Sequence, residues 1–253
     1  DGTWYIHMLT MDNVGNTKLS TIQINLDWNS PVFDYFRSSS HPAQNLWYSN
    51  NIASIAWKAS DTGSGIKGVW QITDQIETHN SADIIEKGTL VSAEGSSTTS
   101  PLSNGVWYIH LATQDIYGRI TYTKYTIHID NTTPDIGNIK GKSNGVWQNT
   151  FNSTTLSWTD PKSLSDDTFY ITTDGTIPSN TNYQFTTTSS SYLIPPQKEG
   201  ETNIKIRPLN GAGTYGEVKT YVLRYDSTAP ANVSELTITS TTANATLQWK
   251  EPN

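Results

Sequence analysis

The sequence predicts an all-β protein built of β-sandwiches that follow one another along the chain. Three observations support this prediction. A segment with the pattern of a β-hairpin recurs at the spacing of one domain, a strand ending in tryptophan follows each copy, and no segment shows a sustained helical period. Since each copy is one supersecondary unit, the spacing indicates serial domains, not one large core.

The repeated hairpin sets the period of the chain. Residues 2–31 align without a gap to residues 105–134, and eleven of the thirty positions are identical. A diverged third copy spans residues 202–230 and has Asn210 where the first two have Asp12 and Asp115. The offset between the first two copies is 103 residues, which is the length of one sandwich domain.

Strands ending in tryptophan mark the start of each domain. Trp57, Trp158 and Trp249 lie 19 to 26 residues after the proline that closes a hairpin copy. We therefore expect the last strands of a truncated sandwich in residues 1–28 and a complete domain in 29–132. A second complete domain is expected in 133–228, followed by the first strands of a truncated third domain in 229–253.

Alternation along the strands predicts which side chains form the cores. Strand residues two apart share a face, so the set of core side chains is expected to combine the strand tryptophans with aliphatic residues of the same faces. Ile66, Gly68, Trp70 and Ile72 are expected to point to one side. The predicted core residues are Trp57, Trp70 and Trp107 in the first complete domain, and Trp158, Ile171, Ile204 and Ile206 in the second.

Composition excludes several classes of function. The net charge is −7 and the 16 lysines and arginines are scattered, which argues against nucleic acid as a partner because phosphate binding needs clustered cations. The absence of cysteine excludes thiol catalysis, thiolate metal sites and disulfides. No apolar run is long enough to cross a bilayer, so we expect no membrane insertion in this segment.

Several motifs resemble families of extracellular modules. Residues 57–66, WKASDTGSGI, and residues 12–16, DNVGN, resemble bacterial and archaeal cell-surface immunoglobulin-like repeats. Residues 170–178, YITTDGTIP, are similar to the chitobiase C-terminal-like sandwich, and residues 230–249 resemble the start of a fibronectin type III domain. The resemblance implies immunoglobulin-like and fibronectin III-like folds at an extracellular cell surface.

Acidic residues at the module junctions suggest a calcium site. In a sandwich of this kind, Asp61 and Asp115 are expected at the end where the linker residue Asp27 enters. Calcium binds such clusters of hard oxygens, and the resemblance to giant adhesins, whose junctional Ca²⁺ stiffens the array, implies the same ion here. The competing interpretation is that these residues cap tight turns through their own backbone. The second junction is a weaker candidate, with Asp130 and Asp160 beside the uncharged Asn210.

Exposed aromatic side chains suggest a second kind of site. Trp28 lies in a linker, and five tyrosines are predicted to face outward, so sugars could stack on their rings. Outward tyrosine is also common on strands for cross-strand pairing, which is the alternative interpretation. The five tyrosines are Tyr5, Tyr108, Tyr122, Tyr125 and Tyr183.

The sequence predicts no enzyme. His7 and His110 occupy equivalent positions of the repeated hairpin and are expected to face solvent. Metalloprotease, serine hydrolase and phosphate-loop motifs are missing, and the Asp166–Asp167 pair is expected to be merely solvated.

The predicted function is a non-catalytic structural or adhesive stalk within a large secreted cell-surface protein, such as a surface layer, a filament or an adhesin. The partners expected are neighbouring domains of the same polypeptide, other copies in a lattice or filament, and surface glycans. The alternative is an accessory, carbohydrate-binding region of a secreted glycoside hydrolase.

Overall fold

A computed structural model describes residues 1–150 and 152–251 and divides the chain into two compact units. Unit 1 contains residues 1–134, 162–167 and 209–215, and unit 2 contains the remainder. Within the described residues, no helix is long and apolar enough to span a membrane.

Unit 1 begins with a two-stranded hairpin and continues with a sandwich. Its elements, in chain order, are β1 Gly2–Met11, β2 Thr17–Leu26, β3 Val32–Ser38, β4 Trp47–Tyr48, β5 Ser54–Ser60, β6 Ile66–Asp74, α1 Ser81–Lys87, β7 Thr89–Val91, β8 Glu94–Thr98, β9 Gly105–Asp115 and β10 Ile120–Ile129. The sandwich consists of a five-stranded sheet, β4-β10-β9-β6-β7, and a three-stranded sheet, β3-β5-β8.

Unit 2 is built on the same sheet order. Its elements are β11 Trp147–Gln148, β12 Thr154–Ser157, β13 Asp167–Thr172, β14 Phe185–Thr187, β15 Ser191–Ile194, β16 Gly200–Asn210, β17 Lys219–Tyr225, β18 Ser234–Ser240 and β19 Ala245–Lys250, with the ends of β13 and β16 lying in unit 1. The five-stranded sheet β11-β17-β16-β13-β14 repeats the order of unit 1, and the pairs β12-β15 and β18-β19 form separate two-stranded sheets. The predicted all-β class of tandem sandwiches is confirmed.

Two separate hydrophobic clusters form the cores, one within residues 53–129 and one within residues 136–223. Trp57 is buried as predicted, Trp107 packs against the first cluster, and the four residues predicted for the second core are buried. The prediction for β6 was wrong from Trp70 onward. A β-bulge between Ile66 and Gly68 shifts the register, so Val69 takes the core position and Trp70 faces the other side of the sheet.

Helix α1 was not predicted, because seven residues are too few for a helical period to show. Asn80 caps it by accepting the N–H of Asp83 at 2.8 Å, and Ile84 is fully buried. The helix packs on β6, β9 and β10, on the face of the sheet opposite the core. This helix therefore covers a surface that strand alternation alone assigns to solvent.

Candidate functional site

The end of the first sandwich gathers the three carboxylates predicted to meet there. Asp27 follows β2, Asp61 follows β5 and Asp115 ends β9, and one carboxylate oxygen of each lies within 4.8 Å of the others. Asp115 is fully buried and Asp27 is 7% exposed. Charged groups are rarely buried without partners, so their hydrogen bonds decide what this cluster can do.

Asp27 is held by the loop after β5. Its Oδ2 accepts the N–H of Ser64 at 2.7 Å and its Oδ1 accepts the N–H of Asn29 at 3.1 Å. The hydroxyl and the N–H of Ser64 both lie near the carboxylate and hold the pKa of Asp27 below its ordinary value. The N–H donates a hydrogen bond to Asp27, whereas the hydroxyl forms none. A Cβ on Gly63 would lie 2.3 Å from the carboxylate of Asp27, so only glycine permits this approach.

Asp61 and Asp115 both cap turns. Asp61 Oδ2 accepts the N–H groups of Gly63 at 3.2 Å and Gly65 at 2.6 Å, and Gly65 has a φ of +90°. Asp115 Oδ1 accepts the N–H of Arg119 at 2.8 Å. This is the turn chemistry that the sequence offered as the alternative to calcium.

Arg119 is the functional residue that the sequence prediction missed. Its Nη1 donates to Asp115 Oδ2 at 3.0 Å and lies 3.8 Å from Asp27 Oδ2, while Nη2 donates to the backbone carbonyl of Asp27. The guanidinium thus ties the linker to the β9–β10 turn. It stands where the first hairpin copy has Asn16, and this difference between copies was the available signal.

The three carboxylates of the cluster suit a bound cation, but Arg119 competes with that cation for them. Three carboxylates against one guanidinium leave two negative charges, and Asp61 Oδ1 is buried with no hydrogen-bond partner among the described residues. Hard oxygens with this charge suit Ca²⁺. Arg119 already supplies positive charge to two of the three carboxylates, so calcium binding at Asp27, Asp61 and Asp115 stays a prediction.

At the second linker, Asp130 makes a similar contact, and the uncharged Asn210 occupies the position of Asp115. Asp130 is fully buried in unit 1, and its Oδ2 accepts the N–H of Ser165 at 2.9 Å and its hydroxyl at 2.6 Å. Asn210 accepts the N–H of Thr214 at 2.8 Å, as Asp115 does from Arg119, and its own Nδ2 donates to the carbonyl of Thr132 at 2.9 Å. The Asp-to-Asn exchange therefore supplies the donor to the linker that Arg119 provides at the first junction.

Asp160 lies in unit 2, and in the described part of the chain neither it nor Asp130 belongs to a group of three metal-ligating side chains. A metal at Asp130 and Asp160 stays a prediction.

The aromatic predictions hold in part. Trp28 is 71% exposed, and Tyr5, Tyr122 and Tyr183 are exposed as well, while Tyr108 is half-buried. Tyr125 was predicted wrongly. It is 5% exposed, because it lies on the core face of β10 and its hydroxyl donates to the carbonyl of His41 at 2.7 Å.

The histidine prediction holds for one copy of the hairpin and fails for the other. His7 is exposed as expected, whereas His110 is fully buried. Both lie on the face opposite the apolar side of their hairpin, but α1 and the loop before it pack on β9 and cover His110.

No protein-family model matches the chain, and no curated protein matches it. Solved structures similar to it include fibronectin(III)-like modules of Clostridium thermocellum CbhA, with 13% identity, a TM-score of 0.36, and coverage of 76% of this chain and 95% of that one. Murine CEACAM1b matches with 11% identity, a TM-score of 0.42, and coverage of 76% and 99%. A tetra-tandem repeat from the extending region of a large adhesion protein matches with 14% identity, a TM-score of 0.36, and coverage of 94% and 59%. These likenesses concern fold alone.

Proposed function

We propose that this chain is a non-catalytic structural or adhesive segment of a secreted cell-surface protein, in which buried carboxylates hold the linkers in one conformation. The observation that carries the proposal is the recurrence of one buried contact. Asp27 and Asp130 occupy the same repeat position, are both buried, and accept the N–H of Ser64 and Ser165 respectively. A spacer needs such fixed linkers, because a flexible linker would let successive domains reorient.

The third hairpin copy provides a natural comparison. Asp226 occupies the equivalent linker position, and its Oδ1 accepts the N–H of Thr228 at 2.9 Å, as Asp130 Oδ1 does from Thr132 at 3.1 Å. Asp226 is exposed. The local turn is therefore common to these linkers, whereas the contact with a downstream serine is made at Asp27 and Asp130.

Backbone ¹⁵N relaxation tests the proposal. We expect residues 130–133 of the wild type to be as ordered as the strands, with order parameters of about 0.85, and to fall below about 0.6 in Asp130→Ala. Asp226→Ala is the matched control and should leave residues 130–133 unchanged. Unchanged order in Asp130→Ala would show that the carboxylate does not fix the linker. Labelling of intact source cells with an antibody against this chain tests the surface location.

Calcium is a proposal for the same junction. If Asp27, Asp61 and Asp115 hold Ca²⁺, a chelator should lower the melting temperature of the wild type and leave that of Asp61→Asn unchanged, since Asp61 Oδ1 is the oxygen without a hydrogen bond. Equal chelator sensitivity in both proteins, or none in either, would count against the ion.

The alternative function, an accessory carbohydrate-binding region, is favoured by one observation, the 71% exposure of Trp28. Binding on a glycan array that disappears in Trp28→Ala would support it. Binding that survives this substitution would remove Trp28 from the site.

A further inference from the structure

A second cluster of metal-ligating side chains lies on the outer face of the five-stranded sheet of unit 1. It comprises Asp74 at the end of β6, His79 in the loop before α1, and His110 in β9. One candidate ligand atom from each lies within 4.8 Å of the other two. The cluster shares no residue with the junction at Asp27.

The three side chains of the cluster lie close together and differ in exposure. His79 Nε2 lies 2.8 Å from Asp74 Oδ2, and His110 Nε2 lies 3.8 Å from Asp74 Oδ1. The side chain of His110 is fully buried, that of His79 is 12% exposed and that of Asp74 is 29% exposed. Two ligands at about 2.05 Å from a tetrahedral zinc ion lie about 3.3 Å apart, so small side-chain rotations bring these three atoms into range.

Hydrogen bonds at both ring nitrogens orient the buried imidazole. His110 Nδ1 lies 2.9 Å from the hydroxyl of Tyr122, and Nε2 lies 2.9 Å from the carbonyl oxygen of Ile76. A hydroxyl can donate or accept, so Tyr122 supports either tautomer of the ring. The Ile76 carbonyl can only accept, so in the structure Nε2–H donates to it and Nδ1 accepts from the Tyr122 hydroxyl. A cation bound at Nε2 takes the place of that proton, which moves to Nδ1 and is donated to Tyr122, and the freed Ile76 carbonyl stands beside the ion as an additional oxygen ligand.

We propose that Asp74, His79 and His110 form a binding site for a divalent transition cation of the zinc class. Two imidazoles and one carboxylate are the ligand set that Zn²⁺ takes at three of its four positions, with the fourth left for water or the Ile76 carbonyl. Imidazole nitrogen discriminates against Ca²⁺ and Mg²⁺, which prefer oxygen. The bound ion fastens the loop containing His79 to β9 and so holds α1 on the sheet.

The test titrates Zn²⁺ into the whole chain by calorimetry, in the presence of excess Ca²⁺ to occupy any oxygen site. We expect one zinc ion per chain and an increase in melting temperature of about 5 °C or more at a hundredfold excess over Kd. His79→Ala and Asp74→Asn, whose side chains are partly exposed, should each weaken binding by more than about tenfold. His7→Ala, the repeat equivalent of His110 on the exposed hairpin, is the matched control and should bind like the wild type.

Cobalt gives a readout that a merely structural role would not change. Co²⁺ bound to the two histidines should show the intense visible absorption of a four-coordinate site, and His79→Ala should lose it. The proposal is wrong if Zn²⁺ binding does not saturate, if His79→Ala binds as tightly as the wild type, or if bound Co²⁺ keeps the spectrum of the hydrated ion.

Discussion

Hairpins β1–β2 and β9–β10 belong to segments identical at eleven of thirty positions and have the same pairing register, but they differ in burial. Ile6 pairs with Ile22 in the first hairpin, and Ile109 pairs with Tyr125 at the same offset in the second. Ile6 is 54% exposed, whereas Ile109 is fully buried. The local sequence therefore specifies strands and register, while burial depends on an opposing sheet.

In unit 1 the three-stranded sheet β3-β5-β8 provides that cover for β9–β10, and the core cluster joins residues of both sheets. None of the described residues covers the apolar face of β1–β2 in this way: Trp4 is 59% and Met8 60% exposed. This difference in burial predicts that substitutions in the two hairpins have different effects on the protein. Four comparisons test it.

The largest expected effect concerns the equivalent isoleucines. Ile109→Ala should lower the free energy of unfolding by about 2–5 kcal/mol, because it removes buried methyl groups and leaves a cavity. Ile6→Ala should stay within about 0.5 kcal/mol of the wild type, since its side chain is more than half exposed. Urea denaturation followed by tryptophan fluorescence measures both. A similar loss of stability in the two variants would mean that the apolar face of β1–β2 is packed against another surface.

The next effect concerns the equivalent turn aspartates. Asp115→Ala should cost about 2 kcal/mol, because Arg119 loses both its N–H acceptor and its ion partner in a buried site. Asp12 makes the same turn, accepting the N–H of Asn16 at 2.9 Å, but on an exposed hairpin. Asp12→Ala should therefore leave the melting temperature of the sandwich unchanged. Equal shifts for the two variants would show that the guanidinium contact adds nothing to the turn.

A third comparison exchanges the residue that differs between the copies. Arg119→Asn restores the asparagine found at position 16 and removes the positive charge beside Asp27 and Asp115. If Asp27, Asp61 and Asp115 hold Ca²⁺ as proposed, the variant should bind it about tenfold or more tightly than the wild type, because the guanidinium no longer repels the ion. Calorimetric titration measures this, and Arg224→Asn, which removes an ion pair with Glu201 in unit 2, is the control. Equal affinities in Arg119→Asn and the wild type would place calcium elsewhere.

Much of the fold was predictable because strand alternation and the repeat are local signals. The repeated hairpin, the buried Trp57 and Trp158, and the all-β class follow from them. The meeting of Asp27, Asp61 and Asp115 followed from the topology of a sandwich, in which a linker and two loops share one end.

The residues that were missed depend on contacts that alternation does not encode. A single bulge in β6 moved Val69 into the core position given to Trp70. The seven-residue helix α1 and the loop before it turned an outward position, His110, into a buried one. Arg119 could be recognised only from the departure of one repeat copy from the other, because nothing in its own segment indicates that it reaches the linker.

The smallest expected effect is the response to acid of a buried carboxylate, Asp130, and an exposed one, Asp12. Burial alone would raise the pKa of Asp130, but hydrogen bonds from Ser165 and Thr132 outweigh it and lower the pKa; hydrogen bonds from Asn16 likewise lower the pKa of Asp12. A carboxyl with a lowered folded-state pKa stabilises the protein above its unfolded pKa, and this contribution is lost as the pH falls through the folded value. The loss should therefore develop below about pH 4. Of these two carboxylates, Asp130 is buried and Asp12 is exposed. Asp130→Asn should therefore flatten the fall in melting temperature between about pH 4 and pH 2, and Asp12→Asn should not. If both variants flatten it equally, the exposed hairpin unfolds together with the sandwich, and the separation drawn between the two hairpins is wrong.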